Sequence, residues 1–109
     1  MVQLCVRLTV APDRVHEITQ ALRVIISRAR ADGNCVGTNL CADVENPTNL
    51  HYWEDWSTPA VMDREIRSSR FTRLMEVVEC STVPPVLEFR FFTDVRGLEY
   101  AEATRKVPA

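Results

Sequence analysis

Residues 50–71, LHYWEDWSTPAVMDREIRSSRF, hold the side chains of this chain best suited to chemistry. Tyr52, Trp53 and Trp56 lie on a strand-like segment that leads into a Ser57-Thr58-Pro59 helix start. Large rings delivered to the mouth of a helix suit a flat, mostly apolar molecule, which they hold by stacking. Under strand alternation Tyr52 and Trp56 share one face and His51 and Trp53 share the other. Trp56 is then either a stacking wall for a planar ligand or a core tryptophan at a strand end. The Tyr52 hydroxyl either orients a ligand oxygen or satisfies itself nearby. His51 points away from both, and His16 falls on an outer helix face beside Glu17.

The composition narrows the alternatives. The chain of 109 residues carries a formal net charge of −2 with both signs interspersed, so no basic stripe marks a nucleic-acid surface. Its longest apolar run is too short for a membrane span, and the segment from Met1 to Val6 lacks the features of a signal peptide. Cys5, Cys35, Cys41 and Cys80 are scattered without a Cys-x-x-Cys pair, and neither histidine stands at ligand-like spacing from them. Four reduced thiols in a cytoplasmic protein, serving mainly as small core residues, are expected. With three glycines and no phosphate loop, a nucleotide or flavin site has no support, and no Ser-His-Asp order is present.

The elements that must position these residues follow from periodicity. Val2, Leu4, Val6, Leu8 and Val10 alternate with more polar residues and predict a strand. Val15, Ile18, Leu22, Ile25, Ile26 and Ala29 form one helical stripe, which Gly33 is expected to close as a left-handed cap. Strands are predicted over 35–44 and 50–56 around the loop 45–49. Next comes a helix capped by Thr58 or Ser57, interrupted at Ser68-Ser69 and resumed from Phe71 through Leu74, Met75 and Val78. A last strand is predicted over 86–95. The order β-α-β-β-α-β is the ferredoxin-like arrangement of an α+β protein with an antiparallel sheet. Residues 1–96 form that domain, and residues 97–109 a tail with a short helix expected over 97–106.

One sheet face, with Leu4, Val6, Leu8, Leu87, Phe89 and Phe91, should lie under the helices. The other, with Cys5, Arg7, Trp53, Asp55, Glu88, Arg90 and Phe92, is too aromatic to stay wet and too charged for an ordinary core. A homodimer stacking these faces is predicted, with Arg7 or Arg90 pairing Asp55 or Glu88. The tail is expected to dock on that dimer.

From Val2 to Val95 the chain resembles the antibiotic biosynthesis monooxygenase family of dimeric α/β-barrel proteins. Members commonly show an aromatic residue, Glu, any residue and Trp, followed by an acidic-rich helix with His, a Ser and a closing Phe. Glu54-Asp55-Trp56 and Ser68 to Phe71 match. Glu65 and Arg70 stand where relatives often carry His. Of the Asn, Trp, Tyr and Arg that cofactor-free oxygenases of polycyclic phenols use, only the Trp maps, to Trp56; the Asn falls at Tyr52 and the Tyr at Met62. Haem-degrading relatives use a first-strand Asn and a late helical His, here Val6 and Met75, so the resemblance implies neither haem nor another cofactor.

The resemblance implies a cofactor-independent monooxygenase acting on a small aromatic, quinol-like or polyketide-like molecule. Trp56 would stack, Tyr52 would orient an oxygen, and Val6, Met62, Phe71 and Phe89 would line the pocket. Glu65, if it keeps the inward direction of the His it replaces, would be desolvated and act as general base. Otherwise Glu65 is a solvated helix residue pairing with Arg64, Arg67 or Arg70. A non-catalytic binding or signalling dimer and an oxygen-independent isomerase or lyase are the alternatives.

Overall fold

A computed structural model describes residues 1–108. In chain order the elements are β1 (Val2–Thr9), a single 3-10 turn (Pro12–Arg14), α1 (Val15–Arg30), β2 (Cys35–Ala42), β3 (Asn49–Trp56), α2 (Pro59–Ile66), α3 (Ser69–Val78), β4 (Val86–Phe91) and α4 (Leu98–Arg105). The strands form one antiparallel sheet in the order β2-β3-β1-β4. This is the ferredoxin-like α+β fold that the periodicity predicts.

Register explains the two unlike faces. Val2, Leu4, Val6 and Leu8 stand opposite Trp56, Glu54, Tyr52 and Leu50, and every one of these side chains is buried. Ile18, Leu22, Ile25 and Ile26 of α1, Met62 of α2, and Leu74 and Val78 of α3 close over them. On the other face Gln3 Nε2 donates to Asp55 at 2.9 Å, and Arg90 pairs with Glu88 at 3.1 Å within its own strand. Trp53 and Phe92 remain half-buried in the single chain.

The break in the second helix is a cap. Ser68 has an extended backbone, its Oγ accepts from Phe71 N–H at 3.2 Å, and its own hydroxyl donates to the Glu65 carbonyl at 2.6 Å. Thr58 caps α2 in the same way through Val61 N–H. Each hydroxyl satisfies a donor that the helix start leaves free, so the stretch forms two helices, each with its own capped start.

Several boundaries differ from the sequence expectation. Gly33 does not adopt positive φ; the Asp32 carboxylate accepts from Asn34 N–H at 2.9 Å and turns the chain without a left-handed residue. β2 ends at Ala42, and β4 ends at Phe91, where the ladder with β1 stops after Phe92 N–H bonds the Met1 carbonyl at 2.9 Å. Phe91 is on the helix side by register yet largely exposed. The four thiols are free, but none belongs to the buried core: Cys5, Cys35 and Cys80 are half-buried and Cys41 is exposed. The α4 helix has no buried residue, and Leu98 and Tyr100 lie open.

On β2, Asn39 Oδ1 accepts from the adjacent Leu40 N–H at 2.9 Å. Asp43 N–H bonds the Asn49 carbonyl, so by antiparallel alternation the Leu40 N–H points to the sheet's free edge.

Candidate functional site

Parity on β3 builds the site. Tyr52, Glu54 and Trp56 alternate with His51, Trp53 and Asp55, so a carboxylate stands between two aromatic rings on the helix side. Glu54 has no exposed surface. It accepts from the Tyr52 hydroxyl, from Trp56 Nε1 at 2.9 Å, and from both amino nitrogens of Arg70, the second at 3.0 Å. Arg70 reaches Glu54 from the first turn of α3, at the head of the buried row Arg70, Leu74, Val78. Its guanidinium carbon lies 5.3 Å from the Trp56 ring centre, a cation–π contact.

Glu65 completes the group. It is the last buried residue of α2, 8% exposed, and its Oε2 lies 3.4 Å from Arg70 Nη2. One cation therefore serves two carboxylates, and Asp32 adds a third negative charge from the end of α1. Burial pushes the Glu65 carboxyl above its ordinary value; Arg70 opposes that shift and Asp32 adds to it. Tyr52 is also pushed up, by burial first and then by Glu54, so its phenol stays protonated and acts as a donor. For Arg70, burial disfavours the charge, but the bonds to Glu54 outweigh it and the guanidinium is held more firmly protonated.

These directions give a stability prediction. The folded chain holds the Glu65 proton more tightly than the unfolded chain, so this group's contribution falls as pH rises from about 4.5 through the raised folded value. Chemical denaturation at several pH values should show that decline in the native sequence and lose it in Glu65→Gln. An identical pH dependence in the two proteins would show that Glu65 is not desolvated.

The other candidates fall in distinct places. Val6 and Met62 are core residues with almost no exposed surface, while Phe71 and Phe89 are half-buried against that core. Met75 is also half-buried. His51 is half-buried on the opposite sheet face, and His16 is exposed. Of the arginines at 64, 67, 70 and 73, only Arg70 turns inward. Glu54 and Arg70 enter the sequence reading as motif positions, and Arg70 as one possible partner of Glu65, but neither as a site residue, although Glu54 has the same strand parity as its buried neighbours. Among the described residues, no His, Cys, Asp and Glu side chains group as a metal site, and no helix is long and apolar enough to cross a membrane.

Sheet order, capped helix break and buried carboxylate together define a ferredoxin-like α+β protein with a charged interior beneath its helices. No family model and no curated protein sequence matches the chain. Solved structures do. A structure described as an antibiotic biosynthesis monooxygenase aligns with a TM-score of 0.73 at 17% identity, over 86% of this chain and 100% of its own. A protein of Deinococcus radiodurans named as a candidate monooxygenase of that kind aligns with a TM-score of 0.79 at 14% identity, over 89% and 97%. A conserved protein of Methanosarcina mazei aligns with a TM-score of 0.73 at 21% identity, over 82% and 89%. This chain shares the ferredoxin-like α+β fold of these structures.

Proposed function

We propose that this chain is a cytoplasmic member of the antibiotic biosynthesis monooxygenase family that oxidises a small aromatic, quinol-like or polyketide-like molecule without a cofactor. The observation that carries this reading is Glu65: a desolvated carboxyl of raised pKa, held at the edge of the interior by a buried arginine that stacks on Trp56. In this reading Glu65 takes the proton of an acidic phenol or enol, and Arg70 offsets the negative charge that forms. The electron-rich anion passes an electron to dioxygen, the two radicals combine, and loss of water from the resulting peroxide gives the quinone. For an anthrone, one dioxygen is consumed, and one anthraquinone and one water are formed. Trp56 is a rigid wall, Tyr52 acts through Glu54 to keep Arg70 in place, and Phe71 and Phe89 offer the apolar surface that solvent reaches beside the core residues Val6 and Met62.

Oxygen uptake by the purified protein with an anthrone and with a reduced quinone, corrected for spontaneous oxidation, tests this. Uptake above background that falls in Trp56→Ala supports it. Turnover without oxygen would assign an isomerase or lyase instead. Saturable binding without product would assign a binding dimer.

The open sheet face is proposed as the homodimer interface, with α4 docked on the dimer. Trp53→Arg is then expected to give monomers in sedimentation, and truncation after Val95 to weaken the dimer. A stable dimer in the Trp53→Arg protein would remove the sheet face as the interface. An unchanged melting temperature and dimer affinity after truncation would count against docking of the tail.

A further inference from the structure

A cleft of about 270 Å³ runs between α1 and α3, on the outer side of the helices. Its apolar surface comes from Val24, Ile25 and Val77, and Val24 is more than half exposed. Its charged residues are Arg28, Arg70, Arg73 and Glu76, three guanidinium groups against one carboxylate. Among the described residues Arg28 and Arg73 form no ion pair; the pairs of Arg70 all run inward, to Glu54 and Glu65. One donor of Arg70 is unused. Its Nε is buried and has no hydrogen-bond partner, although Arg70 is only 7% exposed. An unmet buried donor is costly, which makes an acceptor brought to it favourable.

We propose that this cleft binds a small carboxylate with an apolar body, the carboxylate lying among Arg28, Arg73 and the Arg70 Nε–H and the body resting on Val24, Ile25 and Val77. Charge selects the headgroup: a planar carboxylate meets guanidinium donors at two oxygens and supplies the acceptor that Nε lacks. Size limits the body to a small one, since a cleft of about 270 Å³ takes a group such as a single ring or a short branched chain. The site is separate from the proposed reaction, because the cleft lies outside the helices and only Arg70 belongs to both.

The test uses the full chain labelled with carbon-13 and nitrogen-15, titrated with sodium benzoate at constant ionic strength. Saturable shifts of the Val24 and Val77 methyl signals and of the Arg70 Nε–H signal are expected. Arg28→Gln and Arg73→Gln, both at exposed positions, are each expected to weaken binding about tenfold, the effect of one lost charge-assisted bond. Benzyl alcohol, neutral and of similar shape, should leave the Nε–H signal in place. The proposal is overturned by benzoate shifts confined to Val6 and Met62, by native affinity retained in both variants, by an equal response to benzyl alcohol, or by no shift at all. None of these outcomes depends on oxygen uptake, so the site and the reaction stand or fall separately.

Discussion

Replacing Glu54 by Gln is expected to lower the free energy of unfolding by about 3–5 kcal/mol, the cost of leaving one member of a buried ion pair uncompensated. The carboxylate accepts from Tyr52, Trp56 and both amino nitrogens of Arg70 with no exposed surface. An amide has one acceptor oxygen for these donors and turns its NH₂ toward some of them. Urea denaturation of the two proteins measures the difference. A loss below about 1 kcal/mol, the scale of an exposed pair, would mean that Glu54 does not hold Arg70. The double variant Glu54→Leu with Arg70→Met should regain only part of the loss. It removes both charges of the main pair, but leaves the Tyr52 hydroxyl and the Trp56 indole without an acceptor and Glu65 without its cation. Adding Tyr52→Phe should recover more.

Glu65→Gln is expected to lower turnover about 10²–10⁴-fold, the range supplied by a positioned general base, while substrate binding is retained. The native rate should climb with pH as the base ionises, through an apparent pKa above the ordinary carboxyl range, since burial raises Glu65. Kinetics across pH and equilibrium binding of an unreactive analogue separate the two effects. An unchanged rate in Glu65→Gln would remove Glu65 as the base and leave oxygenation, if observed, to another group. A loss of binding and of rate in proportion would reassign Glu65 to holding the ligand.

The architecture was legible because each element carries its own periodic signal. β1 alternates without exception, α1 shows one continuous stripe, and the Ser68 break marks a helix start by residue type alone. Ends of elements were less legible. The turn at Asp32 uses a side-chain acceptor in place of a left-handed glycine, and the end of β4 depends on where its partner strand stops. The interior charge was half visible. Alternation places Tyr52 and Trp56 inward and therefore Glu54 as well, and a carboxylate at a buried position requires a buried cation. Choosing Arg70 from four helical arginines needed the stripe shared with Leu74 and Val78, which three residues of spacing to Arg67 and Arg73 do not share. Whether a space remains around Trp56 is a matter of side-chain volumes summed over several elements, and no local pattern reports it.

The amide of Asn39 gives the margin of the sheet another property. An outermost strand with unused N–H groups is a template on which further strands can assemble, the usual route to fibrils and precipitates. By folding back on the Leu40 N–H, the Asn39 side chain occupies one of those groups in the middle of β2. The strand therefore carries its own stopper against polymerisation, at a point where the neighbouring Val36 and Leu40 would make growth favourable. Asn39→Val would free that group and add a β-branched side chain, turning a margin that ends the sheet into one that could extend it from molecule to molecule.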